Sequence, residues 1–121
     1  MIQATELRIG NYLTYHTPDD TDMPCKIDAQ DILNISTNYM HNAEIHSPIP
    51  LTEEILLKCG FELSYKGLHT TYEINDGIVT YYFWDDRQYA SFKGADIKCE
   101  YLHTLQNLFK LFTGNELNIA L

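Results

Sequence analysis

Five histidines, three cysteines and seventeen acidic residues are the groups in this 121-residue chain with obvious chemical potential, so their spacing comes first. His41 and His46, with Glu44 between them, offer donors that zinc accepts, but the spacing matches no zinc signature and the segment reads as a surface loop. Cys25, Cys59 and Cys99 contain no Cys-x-x-Cys pair and are odd in number, so reduced and mostly buried thiols are expected. Asp19, Asp20 and Asp22 with Thr21 have the oxygen density of a calcium loop without its central glycine or its closing glutamate, and read as solvating charge. Cys99, Glu100 and His103 bring thiol, carboxylate and imidazole close in sequence, and an i, i+4 thiol–imidazole pair can meet on a helix. No glycine-rich loop stands ready to supply an oxyanion hole. Gly-x-Gly-x-x-Gly and Gly-Lys-Thr phosphate loops are absent, which removes those classes of nucleotide site. No catalytic, cofactor-binding or metal-ligating residue is assigned on these grounds.

The aromatic residues carry more functional weight. Tyr81, Tyr82, Phe83, Trp84 and Tyr89 cannot all face one core if their strand alternates. Asp76-Gly77 is a strong two-residue hairpin signal between LHTTYEIN and GIVTYYFWD. That loop sets Ile74 opposite Val79, Tyr72 opposite Tyr81 and Thr70 opposite Phe83 as the buried face. His69, Thr71, Tyr82 and Trp84 are then left on the other face, whereas a three-residue loop would slip the register and bury Tyr82 and Trp84 instead. Intramolecular cover of the His69, Tyr82 and Trp84 face is the first expectation, and a partner or dimer contact the second.

The elements that must position these groups follow from periodicity. Tyr101, Leu105, Leu108, Phe109 and Phe112, widened by Leu102, form the stripe of an amphipathic helix that Gly114 ends. His103, Gln106, Asn107 and Lys110 fall mostly on its opposite side. Thr52 is an N-cap, Glu53 and Glu54 face the positive end of the dipole, Leu51 can staple onto Leu56, and Gly60 stops the helix, predicting one over 53–59. LRIGNYLTY reads as a strand bent at Gly10-Asn11, HTPDDTDMP as an exposed loop, and CKIDAQDILNIS as two short strands, with a turn of helix fitting nearly as well. QYASFKG supplies a third meander strand, Ile97 to Cys99 a short fourth, and ELNIAL a docking tail strand. The expected fold is α+β in a single domain over 1–121: a small curled, SH3-like β unit over 1–47, then a short helix, an antiparallel meander and a packed C-terminal helix over 48–121.

Composition limits the partners. Hydrophobic content of 45% is that of a folded protein, and a net charge of −9 repels phosphate backbones and anionic lipid, so neither nucleic acid nor a membrane surface is an expected partner. No apolar run approaches the ~20 residues needed to span a bilayer. MIQATELRIG has no signal-peptide core, so a cytoplasmic protein is expected.

ELRIGNYL, PIPLTEEILLKCGF and YLHTLQNLFKLFTGNELNI together resemble a family of small uncharacterised proteins of gut anaerobes and of their phages and mobile elements. The family has no assigned activity, so the resemblance implies a setting, that of a phage-related accessory protein, and no site residue. The matching Thr52, Gly60, Leu105 and Gly114 are cap and core positions. The leading expectation is therefore a non-catalytic protein-binding or assembly module that pairs with a protein partner or a second copy. A small-molecule enzyme using His103, Cys99 and nearby carboxylates is the first alternative, and an acidic decoy for a DNA-binding protein the second.

Overall fold

The computed structural model describes residues 2–19, 21–37, 45–74 and 77–121. It is an α+β protein built on two antiparallel sheets with a C-terminal helix. The chain groups into two compact units, Met1–Pro50 with Tyr101–Asn107 and Leu51–Glu100 with Leu108–Leu121.

In the first unit a three-stranded sheet has the order β2-β1-β3, with β1 at Tyr12–His16, β2 at Asp22–Lys26 and β3 at His46–Ser47. Three expectations are corrected here. Leu7–Asn11 is not strand: a 3-10 turn at Ala4–Glu6 precedes it, and the Asn11 N–H donates to the Arg8 carbonyl at 3.0 Å while the Arg8 N–H donates to Asn11 Oδ1 at 2.7 Å. HTPDDTDMP is not loop throughout: its ends, His16 and Asp22–Pro24, lie in β1 and β2, which pair from Tyr12↔Lys26 to His16↔Asp22. Pro24 lies within β2, and an edge strand tolerates a residue with no N–H to give.

The third correction is helix α1 at Ala29–Thr37, where the helical alternative prevails over a second strand. Asp28 Oδ1 accepts from the Asp31 N–H and Asp31 Oδ2 accepts from the Asp28 N–H, both at 3.0 Å, so the two acids cap the helix reciprocally. Ile32 and Ile35 then fall on one face. Ile35 joins Ile2, Leu13 and Ile27 in the core, with Ala4, Leu7 and Ile32 packed against it.

In the second unit the short helix, α2, runs Glu53–Lys58, and Thr52 Oγ1 accepts from the Ile55 N–H at 3.3 Å as its sequence signals require. A five-stranded meander follows, β4 (Glu62–Lys66), β5 (His69–Ile74), β6 (Val79–Trp84), β7 (Arg87–Phe92) and β8 (Ala95–Lys98), paired in chain order. Ile74↔Val79, Tyr72↔Tyr81 and Thr70↔Phe83 are the observed pairs, matching the register expected of the Asp76-Gly77 turn, although Asn75 and Asp76 themselves lie outside the described residues. The β7–β8 turn is Lys93-Gly94, with φ of 51° and 84° at its two positions, the left-handed pair that matches strand twist. Strand β4, which the alternation argument does not include, carries a bulge between Leu63 and Tyr65. The tail forms no strand, and instead the Ala120 N–H donates to the Lys58 carbonyl at 2.9 Å.

The C-terminal helix, α3, spans Leu102–Thr113, and Gly114 follows it with a φ of 78°. Its buried side is the expected one in part: Leu102, Leu105 and Phe109 are buried, but so are His103 and Gln106, expected on the opposite side, while Tyr101 and Phe112 of the expected stripe are exposed, Phe112 stacking on Phe92 at 4.8 Å. The two polar residues go inward because they meet polar partners there, as described next.

Candidate functional site

Alternation along β5 and β6 divides the second unit's sheet into two faces. Tyr72, Val79, Tyr81, Ala90 and Phe92 are buried on the inner one. The Tyr81 hydroxyl is tied down by donating to the Cys99 carbonyl at 2.5 Å and accepting from Gln88 Nε2 at 3.0 Å. The outer face carries the residues predicted from sequence, His69, Tyr82 and Trp84, and brings them together. The His69 ring centroid lies 6.3 Å from Tyr82 and 6.2 Å from Trp84.

Two further aromatics extend the group. Tyr65 sits 5.2 Å from His69, its ring folded over Gly67, where any Cβ would collide with it. Tyr82 and Tyr89 are cross-strand partners with rings stacked at 5.4 Å. The result is an aromatic stripe across β4, β5, β6 and β7. The Tyr82 phenol is pushed up to about 12, by burial first and then by the Asp96 carboxylate it bonds to, so it remains a neutral donor at physiological pH.

Beside this stripe Leu68, His69, Thr71, Tyr82 and Trp84 line a cavity of about 350 Å³. Trp84 is 56% exposed, Tyr65 52% and Leu68 95%, so the cover first expected over this face is not on these three side chains. Solvent-facing aromatic and aliphatic groups in a contiguous cluster are what protein-contact surfaces present.

The other candidate groups fare differently. His103 is buried with Nε2 2.9 Å from Glu6 Oε1. Glu6 can only accept there, so Nε2 holds the proton and Nδ1, which has no hydrogen-bond partner, is a bare lone pair. Burial outweighs Glu6 and lowers the basicity of this imidazole. With Nδ1 unpartnered, no thiol is bonded at that nitrogen. Gln106 Oε1 accepts from the Tyr12 N–H at 2.8 Å, and Nε2 donates to the Gly10 carbonyl at 3.1 Å, so this amide stands in for a strand neighbour. His41, Glu44 and Asp20 lie outside the described residues, and among those described no three His, Cys, Asp or Glu side chains cluster as a metal site. Asp19 accepts from the Thr17 hydroxyl within its own turn.

One constellation has no counterpart in the motif reading. His16 Nδ1 lies 2.8 Å from Asp22 Oδ1, and His16 Nε2 lies 2.7 Å from Ser47 Oγ. The three residues sit on three neighbouring strands. Only the hairpin pairing His16↔Asp22 and the adjacent pair Thr14↔Ser47 could have signalled the contact, and two of the three strands, β2 and β3, fall in segments that carry no periodicity.

Among the described residues no helix is long and apolar enough to cross a membrane. No protein-family model matches the chain, and neither a curated protein nor a solved structure is significantly similar to it.

Proposed function

We propose that this chain is a protein-binding module that docks through the outer face of its five-stranded sheet, with a second copy as the occupant. The observation that carries the reading is the solvent-facing aromatic stripe from Tyr65 through His69, Tyr82 and Trp84 to Tyr89. Charge supports self-docking. Strand register places Glu62, Glu73 and Asp96 on this face with Arg87 and Lys98, or 2 − 3 = −1, against −9 for the whole chain. Two copies meeting here bring together an aromatic surface that carries little of the chain's negative charge. A phage-related accessory role in the cytoplasm, the setting implied by the resemblance, suits such a module, and the acidic balance disfavours nucleic acid as its ligand.

Sedimentation equilibrium from micromolar to millimolar chain concentration tests this reading. The expected result is a reversible dimer that tightens as salt screens the remaining charge, and that Trp84→Ala and Tyr82→Ala each weaken. A monomer throughout that range, or a dimer indifferent to both substitutions, overturns it.

A further inference from the structure

The side chains of β2, β1 and β3 place an acid, a base and a hydroxyl in a connected line, and nothing in the docking face uses them. Asp22 carboxylate oxygen accepts at 2.8 Å from His16 Nδ1, and a carboxylate can only accept. The neutral imidazole therefore carries its proton on Nδ1 and presents a lone pair at Nε2, which lies 2.7 Å from Ser47 Oγ. That is the division of roles in an acyl-transfer triad: an orienting acid, a base in the correct tautomer and a hydroxyl within reach of it. We propose that Ser47, His16 and Asp22 form a nucleophilic site that hydrolyses carboxylic esters or thioesters.

The positions follow from the sheet. His16 and Asp22 are directly opposed in the β1–β2 hairpin, and Ser47 pairs with Thr14, two residues before His16 on the same face. Among the described residues β3 is the edge of this sheet, so its outer side is open to an approaching substrate. In the reaction Ser47 Oγ bonds to the acyl carbon while its proton passes to His16 Nε2. The tetrahedral adduct then collapses, breaking the acyl bond to the leaving oxygen or sulfur, and His16 returns the proton to the departing alcohol or thiol. Water repeats the sequence against the acyl-serine, leaving a carboxylic acid and free Ser47.

Exposure sets the substrate class. The His16 side chain is 37% accessible and that of Asp22 58%, so water screens the charges on which amide cleavage depends. Esters and thioesters, with their better leaving groups, need less stabilisation, and an open sheet face admits an acyl group at the end of a larger molecule.

The test is labelling of the intact protein with a fluorophosphonate probe, read by peptide mapping, alongside turnover of p-nitrophenyl acetate. The expected result is a single adduct on Ser47 and hydrolysis that falls about 100-fold in both Ser47→Ala and His16→Ala, the usual share of general-base catalysis. Ser47→Cys, which keeps a nucleophile at the strand, is expected to be alkylated faster than Cys25 and to lose that advantage when His16 is changed to alanine. Three results overturn the proposal: no Ser47 adduct, hydrolysis that survives Ser47→Ala but not His16→Ala, or a Ser47→Cys thiol no more reactive than Cys25. In those cases the hydrogen-bonded line is a staple across three strands.

Discussion

Gln106 ties two backbone groups of the first unit to the C-terminal helix, and Gln106→Leu is the perturbation that isolates it. Leucine keeps the helix and nearly the volume of the buried glutamine, so the change removes hydrogen bonds without opening a cavity. Two groups lose a partner, the Tyr12 N–H, bonded at 2.8 Å, and the Gly10 carbonyl, bonded at 3.1 Å. Asn11 Nδ2 also approaches Gln106 Oε1, at 3.5 Å, but keeps its 2.8 Å bond to Asn107 Oδ1 and is not orphaned. A buried polar group left unsatisfied costs roughly 1–3 kcal/mol, and since both sites are only partly buried the low end applies, giving about 2–3 kcal/mol in all. For a chain of this size that is a fall in Tm of about 10 °C. Differential scanning calorimetry measures it, and amide exchange adds a local readout, with faster exchange at the Tyr12 N–H. Gln106→Glu should be worse at neutral pH than Gln106→Leu, because the carboxylate still accepts from Tyr12 but points its charge at the Gly10 carbonyl. A Gln106→Leu protein melting within about 2 °C of wild type, with unchanged Tyr12 protection, would refute the reasoning.

Two further predictions concern buried titratable groups. Burial holds His103 below its ordinary value of 6.5, so between the two values the unfolded chain binds more protons than the folded one. The stability this contributes is present above the unfolded value and lost as pH falls towards the folded one. Thermal melts between pH 7.5 and 5.5 should therefore decline, and His103→Gln, whose amide can still donate to Glu6, should flatten that decline; an equal slope in both proteins contradicts the assignment. Burial also pushes the Cys59 thiol up to about 12, and Cys99 is buried as deeply, so a disulfide reagent should leave both untouched in the native state and modify Cys25 slowly. All three thiols should react on denaturation, and rapid native labelling of Cys59 or Cys99 would show that their surroundings open.

The contrast between what could and could not be read in advance has a physical basis. The β5–β6 pairing was legible because a turn signal and strict alternation overdetermine the register, and from it the company of His69, Tyr82 and Trp84 follows directly. The short helix was legible for a similar reason, as Thr52, the two glutamates and Gly60 all mark its ends. Strand β2 was not, since a hairpin made of DMPCK buries little and spends a proline on an open edge, leaving no hydrophobic pattern to detect. The helix face was legible only in part, for a more instructive reason. Counting His103 and Gln106 as outward-facing treats polarity as a proxy for exposure, yet a polar side chain goes inward whenever fixed partners satisfy it, and the partners here lie near the other end of the chain. The Ser47, His16 and Asp22 line was illegible for two reasons: β2 and β3 carry no pattern, and its chemistry exists only after pairing. Motif spacing could point to Cys99 and His103, which are neighbours in sequence, but in the fold His103 is engaged by Glu6 instead, while the histidine that gains a hydroxyl and an acid does so through strand registry alone. Alternation and a turn signal thus located a surface whose members share a strand pair, and the constellation drawn from three strands required coordinates.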